Sequence, residues 1–445
     1  MLARARSAYI GLMNKETQTV TDAKELADAL ESGAKDITIE GVIKGSPSIT
    51  LPEGVTLHGA KGDSSDGFEF LAKGLRLTKD NSLENLTVKT LDYEQAIYNS
   101  LEITDAGTLR LRNVTTVGQV YLVAEGAVKH IRVEADGVKV LSADLRGRAE
   151  QPHGYGVDVL QGGFTLWNRQ PDPAATFSAT LRGISVGTEE TPVRGSGVFL
   201  AGYADREGKL TGGAFTADLV ETGTIVTDGG IAPGTPDKIT GGVFVVSGAK
   251  VERVENSGPV TTHGQNDMVL DLWGETPHWV ANAPITSTGP SGIGFVNFGD
   301  MGALEVNAPI VTNGLGARGF NVYDGTLQSA KFESITTHGD GAIGIQISRP
   351  VGAVAVTGDV TTTGGEGLSL VKGVQTVLKA SAVSIKPGAV VDALGIHGKI
   401  STEGEGLASF EILEGATVHE LHLGEVEAHG ADSIPTRLEG TVQQQ

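Results

Sequence analysis

Cysteine does not occur in this 445-residue chain, which excludes disulfides, thiolate metal sites and a cysteine nucleophile while leaving the compartment open. Basic residues are also short, 34 Lys and Arg against 54 Asp and Glu, giving a net charge of −20. Such a charge repels phosphate backbones and anionic headgroups, and no Lys/Arg cluster offsets it, which argues against nucleic acid as a partner. Residues 1–150 hold 18 basic and 22 acidic side chains, leaving 16 and 32 for the remainder, so the acidity lies downstream. A soluble surface that resists self-association is its ordinary meaning. No apolar run approaches a membrane span. The start carries Arg4 and Arg6 before a weak apolar patch, Ala8 to Met13, shorter than the core of a signal peptide. Aromatic residues, at 5%, are sparse.

What is abundant is glycine, 63 residues, about twice the usual share. Val, Ile and Thr stand in short runs between Gly, Asn and Asp, the composition of strands joined by tight turns. A phrase of 25 residues then recurs, starting VTTHG at Val260, ITSTG at Ile285, IVTNG at Ile310, ITTHG at Ile335 and VTTTG at Val360. Its fifth column is Gly264, Gly289, Gly314, Gly339 and Gly364; its eleventh is Leu270, Phe295, Phe320, Ile345 and Leu370. That period is too short for a helix pair and fits one coil of a β-solenoid. The eleventh column is expected to stack inside, and the glycines to supply turns with φ > 0.

One helix is predicted, over residues 22–33: Asp22 can cap, Glu25 stands three residues on, Ala23, Leu26, Ala27 and Leu30 share a face, and Gly33 follows. It would cover the open edge of a first coil. Short strands follow, at Ile37 to Ile43, Ile49 to Leu51, Val55 to Leu57, Leu75 to Leu77 and Leu83 to Val88. The expected fold is thus all-β, a right-handed parallel β-helix with a short N-terminal capping helix. Its plan is residues 1–35 for the N-terminal segment and cap, irregular coils over 36–259, regular coils over 260–382, an insertion at 383–399, terminal coils over 400–440 and a tail, 441–445. Candidate coil starts in the irregular part are Ile184 and Ile225, and QGGFTLW from Gln161, TGGAFTADL from Thr211 and TGGVFVVSG from Thr240 read as repeats of one coil.

The helix followed by DITIEGVIKG, SITLPEGVTLHG and SLENLTV resembles the N-terminal end of parallel β-helix proteins of the pectate-lyase-like superfamily. The repeats, ITTHGDGAIGI at Ile335 among them, are similar to passenger domains of bacterial autotransporters and filamentous adhesins. These resemblances imply the fold and an extracellular or cell-surface location, and suggest adhesion.

Equivalent residues of neighbouring coils stack about 4.8 Å apart, so columns become distances. The histidines of column four, His263 and His338, are three coils or about 14 Å apart, too far to share a zinc ion that each must approach to about 2.1 Å. Glu275 and Asp300 share column sixteen, with Asp324 one column away in the next coil. They are the catalytic candidates if the chain is an enzyme, at a spacing close to a retaining glycosidase's, and weak calcium ligands otherwise. Against this, each acid adjoins a glycine, as in an ordinary turn, and Arg349 can pair with Asp324. Between His153 and Arg169 the chain concentrates Tyr155, Asp158, Trp167 and Arg169, binding candidates for a sugar, or else groups that close an irregular coil. Gly314, Gly316 and Gly319 spell G-x-G-x-x-G, but a strand phrase rather than a helix follows, so no dinucleotide site is expected.

The leading expectation is a non-enzymatic structural or adhesive solenoid that presents loops to a polysaccharide or surface protein, with no cofactor. The alternatives are a polysaccharide lyase, hydrolase or epimerase on the same fold, and a component resembling a phage tail-spike.

Overall fold

The structure, a computed structural model, describes residues 17–443. The basic start, the patch from Ala8 to Met13, Gln444 and Gln445 lie outside the described residues. Nearly every strand pairs in parallel with the strand one coil before and one coil after it, as a β-solenoid requires. Each regular coil carries three strands. In the first of these they are Val260–Thr262, Asp267–Leu272 and Glu275–Ala281. One face is a ladder running from Ile49–Thr50 to Ile434–Leu438 through 14 rungs, about 65 Å at sheet spacing. The other two faces join into one sheet because long strands such as Asp105–Val117 and Phe215–Thr227 continue round a corner.

Register follows the 25-residue columns. Val260, Ile285, Ile310, Ile335, Val360, Ile400 and Val426 pair in series, and Leu270, Phe295, Phe320 and Ile345 do the same on the long ladder. All four of the latter are fully buried, each contributing about 1.5–3 kcal/mol relative to exposure.

Three expectations about the coils need correction. The extra residues do not lie at 383–399: they form an antiparallel hairpin, Glu366–Val371 with Val374–Lys379, that leaves the stack and returns. Val383 therefore takes the place beside Ile345 that the repeat had given to Leu370, and Val383 in turn pairs with Phe410. In the irregular part Val186, not Ile184, aligns with Ile225 and Val260. Gln161–Trp167 and Thr240–Val246 do stand in equivalent positions, Phe164 and Val243 both pairing with Val198, but Phe215 of the third phrase pairs with Phe177 and Ala249 in the other sheet.

The column-five glycines serve a different end from the one expected. Gly264, Gly289, Gly314 and Gly364 do not have positive φ, and Gly339 alone of the five does. At each of the last four a Cβ would run into the carbonyl of the glycine one coil before. Close stacking of the corner demands glycine there, and a left-handed backbone adds to it only at Gly339.

The N-terminal cap has two parts. Gln18–Val20 adds a rung on Ile37–Ile39, and the helix Ala23–Glu31 follows. The Asp22 carboxylate accepts from the N–H groups of Lys24 and Glu25 at 2.8 and 2.9 Å, while Glu25 reaches back to the Thr21 N–H at 2.8 Å. Gly33 (φ +83°) donates to the Leu30 carbonyl and Ala34 to that of Ala29, which ends the helix in a Schellman turn. Leu26 and Ala29 are buried against the first coils.

Candidate functional site

Side chains alternate along a strand, so the long ladder has an outward as well as an inward row. Two outward rows matter. The first runs Arg76, Tyr98, Tyr121, Thr165, Phe199, Phe244, Asp271, Val296, Asn321. The second lies two residues further along each strand and includes Val123, Trp167 and Ala201; Trp273, Phe298 and Tyr323 directly follow paired strand ends in later coils. Together these rows build a second hydrophobic cluster, outside the solenoid core.

Over the N-terminal coils this outer face is open, and excursions of the chain wall it into a groove of two lobes. The smaller, about 480 Å³, is lined by Arg76, Tyr98, Tyr121 and Arg148 among others; the larger, about 890 Å³, by Lys129, His153, Trp167, Tyr203, Arg206 and Trp273 among others. Glu125, Glu150 and Arg169 line both. The guanidinium of Arg169 lies 4.7 Å from the centre of the Trp167 ring and donates to Glu125 at 2.8 Å. Trp167 Nε1 donates to the Gly202 carbonyl at 3.2 Å and its ring meets Phe199 edge-on. Burial pushes the Tyr121 hydroxyl up to about 12, so it stays a neutral donor and acceptor, and burial also lowers the affinity of Arg148 for its proton.

Of the binding candidates, Trp167 and Arg169 therefore stand in the groove, stacked on one another rather than side by side. Tyr155 does not line it. With φ +50°, Tyr155 wedges between Trp273 and Phe298, ring centres 5.0 and 4.5 Å away, where burial raises its hydroxyl to about 12. Asp158 is held by His153 at 2.7 Å, and Arg349 stands apart from the groove beside Asp324. Tyr98 and Tyr121 have no mark in the sequence because only the strand register shows that they share a face with Trp167, and Tyr203 and Arg148 have none because they reach the groove from excursions outside the strands.

The acidic trio is dispersed by its partners. Glu275 and Asp300 are direct neighbours in register, but Glu275 binds Lys250 at 2.6 Å and Asp300 accepts from Thr326 at 2.9 Å. Asp324 is placed between Arg349 at 3.1 Å and Lys372 at 3.5 Å. None of the three lines the groove lobes. Among the described residues, no group of three or more His, Asp or Glu side chains is arranged to hold a metal ion. His263 and His338 instead bond the next coil's Thr288 and Thr363, at 2.9 and 3.1 Å.

Compared with protein-family models, curated proteins and solved structures, the chain finds no match. No helix among the described residues is long and apolar enough to cross a membrane. The site must accordingly be read from its own chemistry.

Proposed function

We propose that this chain is a saccharide-binding β-solenoid that holds a polysaccharide along the outer groove without cleaving it. The observation that carries the reading is the groove itself: two contiguous lobes on a rigid sheet, with Tyr98, Tyr121, Trp167 and Tyr203 set among fixed hydrogen-bonding groups. Sugars offer apolar C–H faces to rings and hydroxyl pairs to planar donors, and a guanidinium seated on an indole presents both kinds of contact. The sheet beneath is paired on both sides, so the groove is preformed and loses little entropy on binding. Binding without turnover is favoured because, of the two carboxylates common to both lobes, Glu125 is tied to Arg169, which leaves Glu150 without a second free acid shared between the lobes.

A glycan array with a reducing-sugar assay on the polysaccharides that bind tests the proposal. Binding that falls about tenfold or more in Arg169→Ala, with no new reducing ends, is the expected result. Product formation that disappears in Glu150→Gln would replace this reading with that of an enzyme acting in the groove.

A further inference from the structure

The groove ends at Trp273, but the outward rows do not. Beyond it two loops arch over the face and touch each other: Tyr155–Val157 from one side and the tip of the hairpin, Lys372–Gly373, from the other. Beneath them is a narrow recess of about 30 Å³, the space of one water molecule, with Trp273 as the wall it shares with the groove. Rings of Tyr155, Phe298 and Tyr323 form its sides.

Its polar groups are unusual. Asp271 is fully buried, and neither carboxyl oxygen has a protein partner; the same holds for Trp273 Nε1 and the Tyr323 hydroxyl, all lining this recess. Next to Tyr323, Asn321 is buried with both amide atoms unpartnered. Buried polar groups are ordinarily paired, because leaving one unmade is costly. Burial pushes the Asp271 carboxyl well above the carboxylate range; the nearby Trp273 N–H tempers this, though its geometry falls short of a hydrogen bond. A neutral carboxyl there both donates and accepts.

The hairpin that roofs this recess stands outside the sheets of the solenoid. Its two strands pair only with each other, and the Ala380 N–H bonds the Gly365 carbonyl at 3.1 Å, so its ends meet where it leaves the stack. A lone two-stranded hairpin is marginal in water. It is latched by Arg318, which donates to Ser369 Oγ and to the Leu370 carbonyl, and by Ser291 Oγ, which accepts from the Leu370 N–H.

We propose that the groove continues past Trp273 into a narrow subsite, in which Asp271, Trp273 and Tyr323 bond the hydroxyls of a terminal sugar residue admitted when the hairpin Glu366–Lys379 lifts. Aromatic walls with a few groups that donate and accept suit a neutral sugar ring, and the site's size requires the hairpin to move. This subsite rests on the groove reading above.

The test uses fluorescent cello-oligosaccharides, from dimers to chains long enough to fill the groove, against the full chain and four variants. These are Trp167→Ala, Asp271→Leu, Arg318→Met and a deletion of Glu366–Lys379 that joins Gly365 to Ala380. Asp271→Leu removes an unpartnered buried carboxyl and is expected to melt no lower than the parent. It is expected to weaken long chains about tenfold and leave short ones unchanged, whereas Trp167→Ala weakens both. Arg318→Met and the deletion are expected to speed association of long chains. Should Trp167→Ala abolish binding while Asp271→Leu leaves long chains unaffected, the subsite is wrong and the groove stands. Should no oligosaccharide bind the parent, both fall together.

Discussion

At the residue scale, the stack depends on atoms that are not there. A Cβ on Gly314 would overlap the Gly289 carbonyl, and both belong to backbones fixed by pairing above and below. Gly314→Ala is expected to cost about 1–3 kcal/mol in urea unfolding, the usual penalty of overpacking. Gly395→Ala is the control, since that glycine has no atom near its missing Cβ and no positive φ, and it should change stability by less than about 0.5 kcal/mol. The expected reason for the glycine column, positive φ, holds at Gly339 alone, because stacking is invisible in a single coil. The left-handed corners are filled elsewhere by asparagine: Asn85 and Asn113, with φ +55° and +49°, sit one above the other, Asn113 Nδ2 donating to Asn85 Oδ1 at 2.8 Å.

A second residue-scale consequence concerns pH. Burial raises the Asp267 carboxyl to about 7, against the bond from Thr227 and the nearby Thr240 hydroxyl that lower it, with Asp228 adding to the rise. The native state thus keeps this proton where the unfolded chain, titrating near 4, has released it. Stability from this group is present at about pH 4 and is lost as pH rises towards 7, at about 1.4 kcal/mol per unit, on the order of 4 kcal/mol in all. Asp267→Asn keeps an acceptor for Thr227 and carries no charge. Melting curves of the two proteins should lie close at pH 4 and separate by pH 7, with the variant the more stable. Parallel curves would show that Asp267 ionises normally.

At the element scale, legibility follows periodicity. The coils from Val260 could be aligned because each repeats the same turn, and the helix because its cap and stop signals are local: Asp22, Glu25 and Gly33 each do in the structure what their residue type favours. Asp22→Ala is expected to cost about 1 kcal/mol locally, seen as faster amide exchange at Lys24 and Glu25 rather than as a lower melting point for the whole rod. The hairpin was misplaced for an equally physical reason. GLSL at Gly367 has the apolar alternation of a coil strand and follows VTTTG in the correct phase, so only the pairing of Val383 with Ile345 reveals that the chain has left the stack. The groove was legible to the same limited degree. Trp167 and Arg169 drew attention as aromatic and polar groups close in sequence, whereas Tyr121 is brought beside Thr165 only after a long excursion between Ser142 and Gly162. Register across coils of unequal length, not composition, decides which side chains share a face.

At the scale of the molecule, the solenoid is a one-dimensional stack whose stability is set by each coil and its neighbours. Its two described ends differ. At the first, Ile37 and Ile39 are fully buried beneath the strand Gln18–Val20 and the helix. At the other, Ile434–Leu438 and Thr441–Val442 pair on one side alone among the described residues, Ile434 and Leu438 are 42% and 55% exposed, and Pro435 removes one donor from that edge. Each further rung inward gains a neighbour and its apolar column closes, so that Phe410 and Val383 are wholly buried. Amide exchange is therefore expected to be graded, fastest in Ile434–Leu438, slower in Ala408–Ile412 and slowest in the coils around Phe320, with the strand at Ile37 protected nearly as well as that centre. Rates that match from Ile37 to Leu438 would mean instead that the stack opens only as a whole, and that coupling between coils outweighs the weakness of an uncovered end.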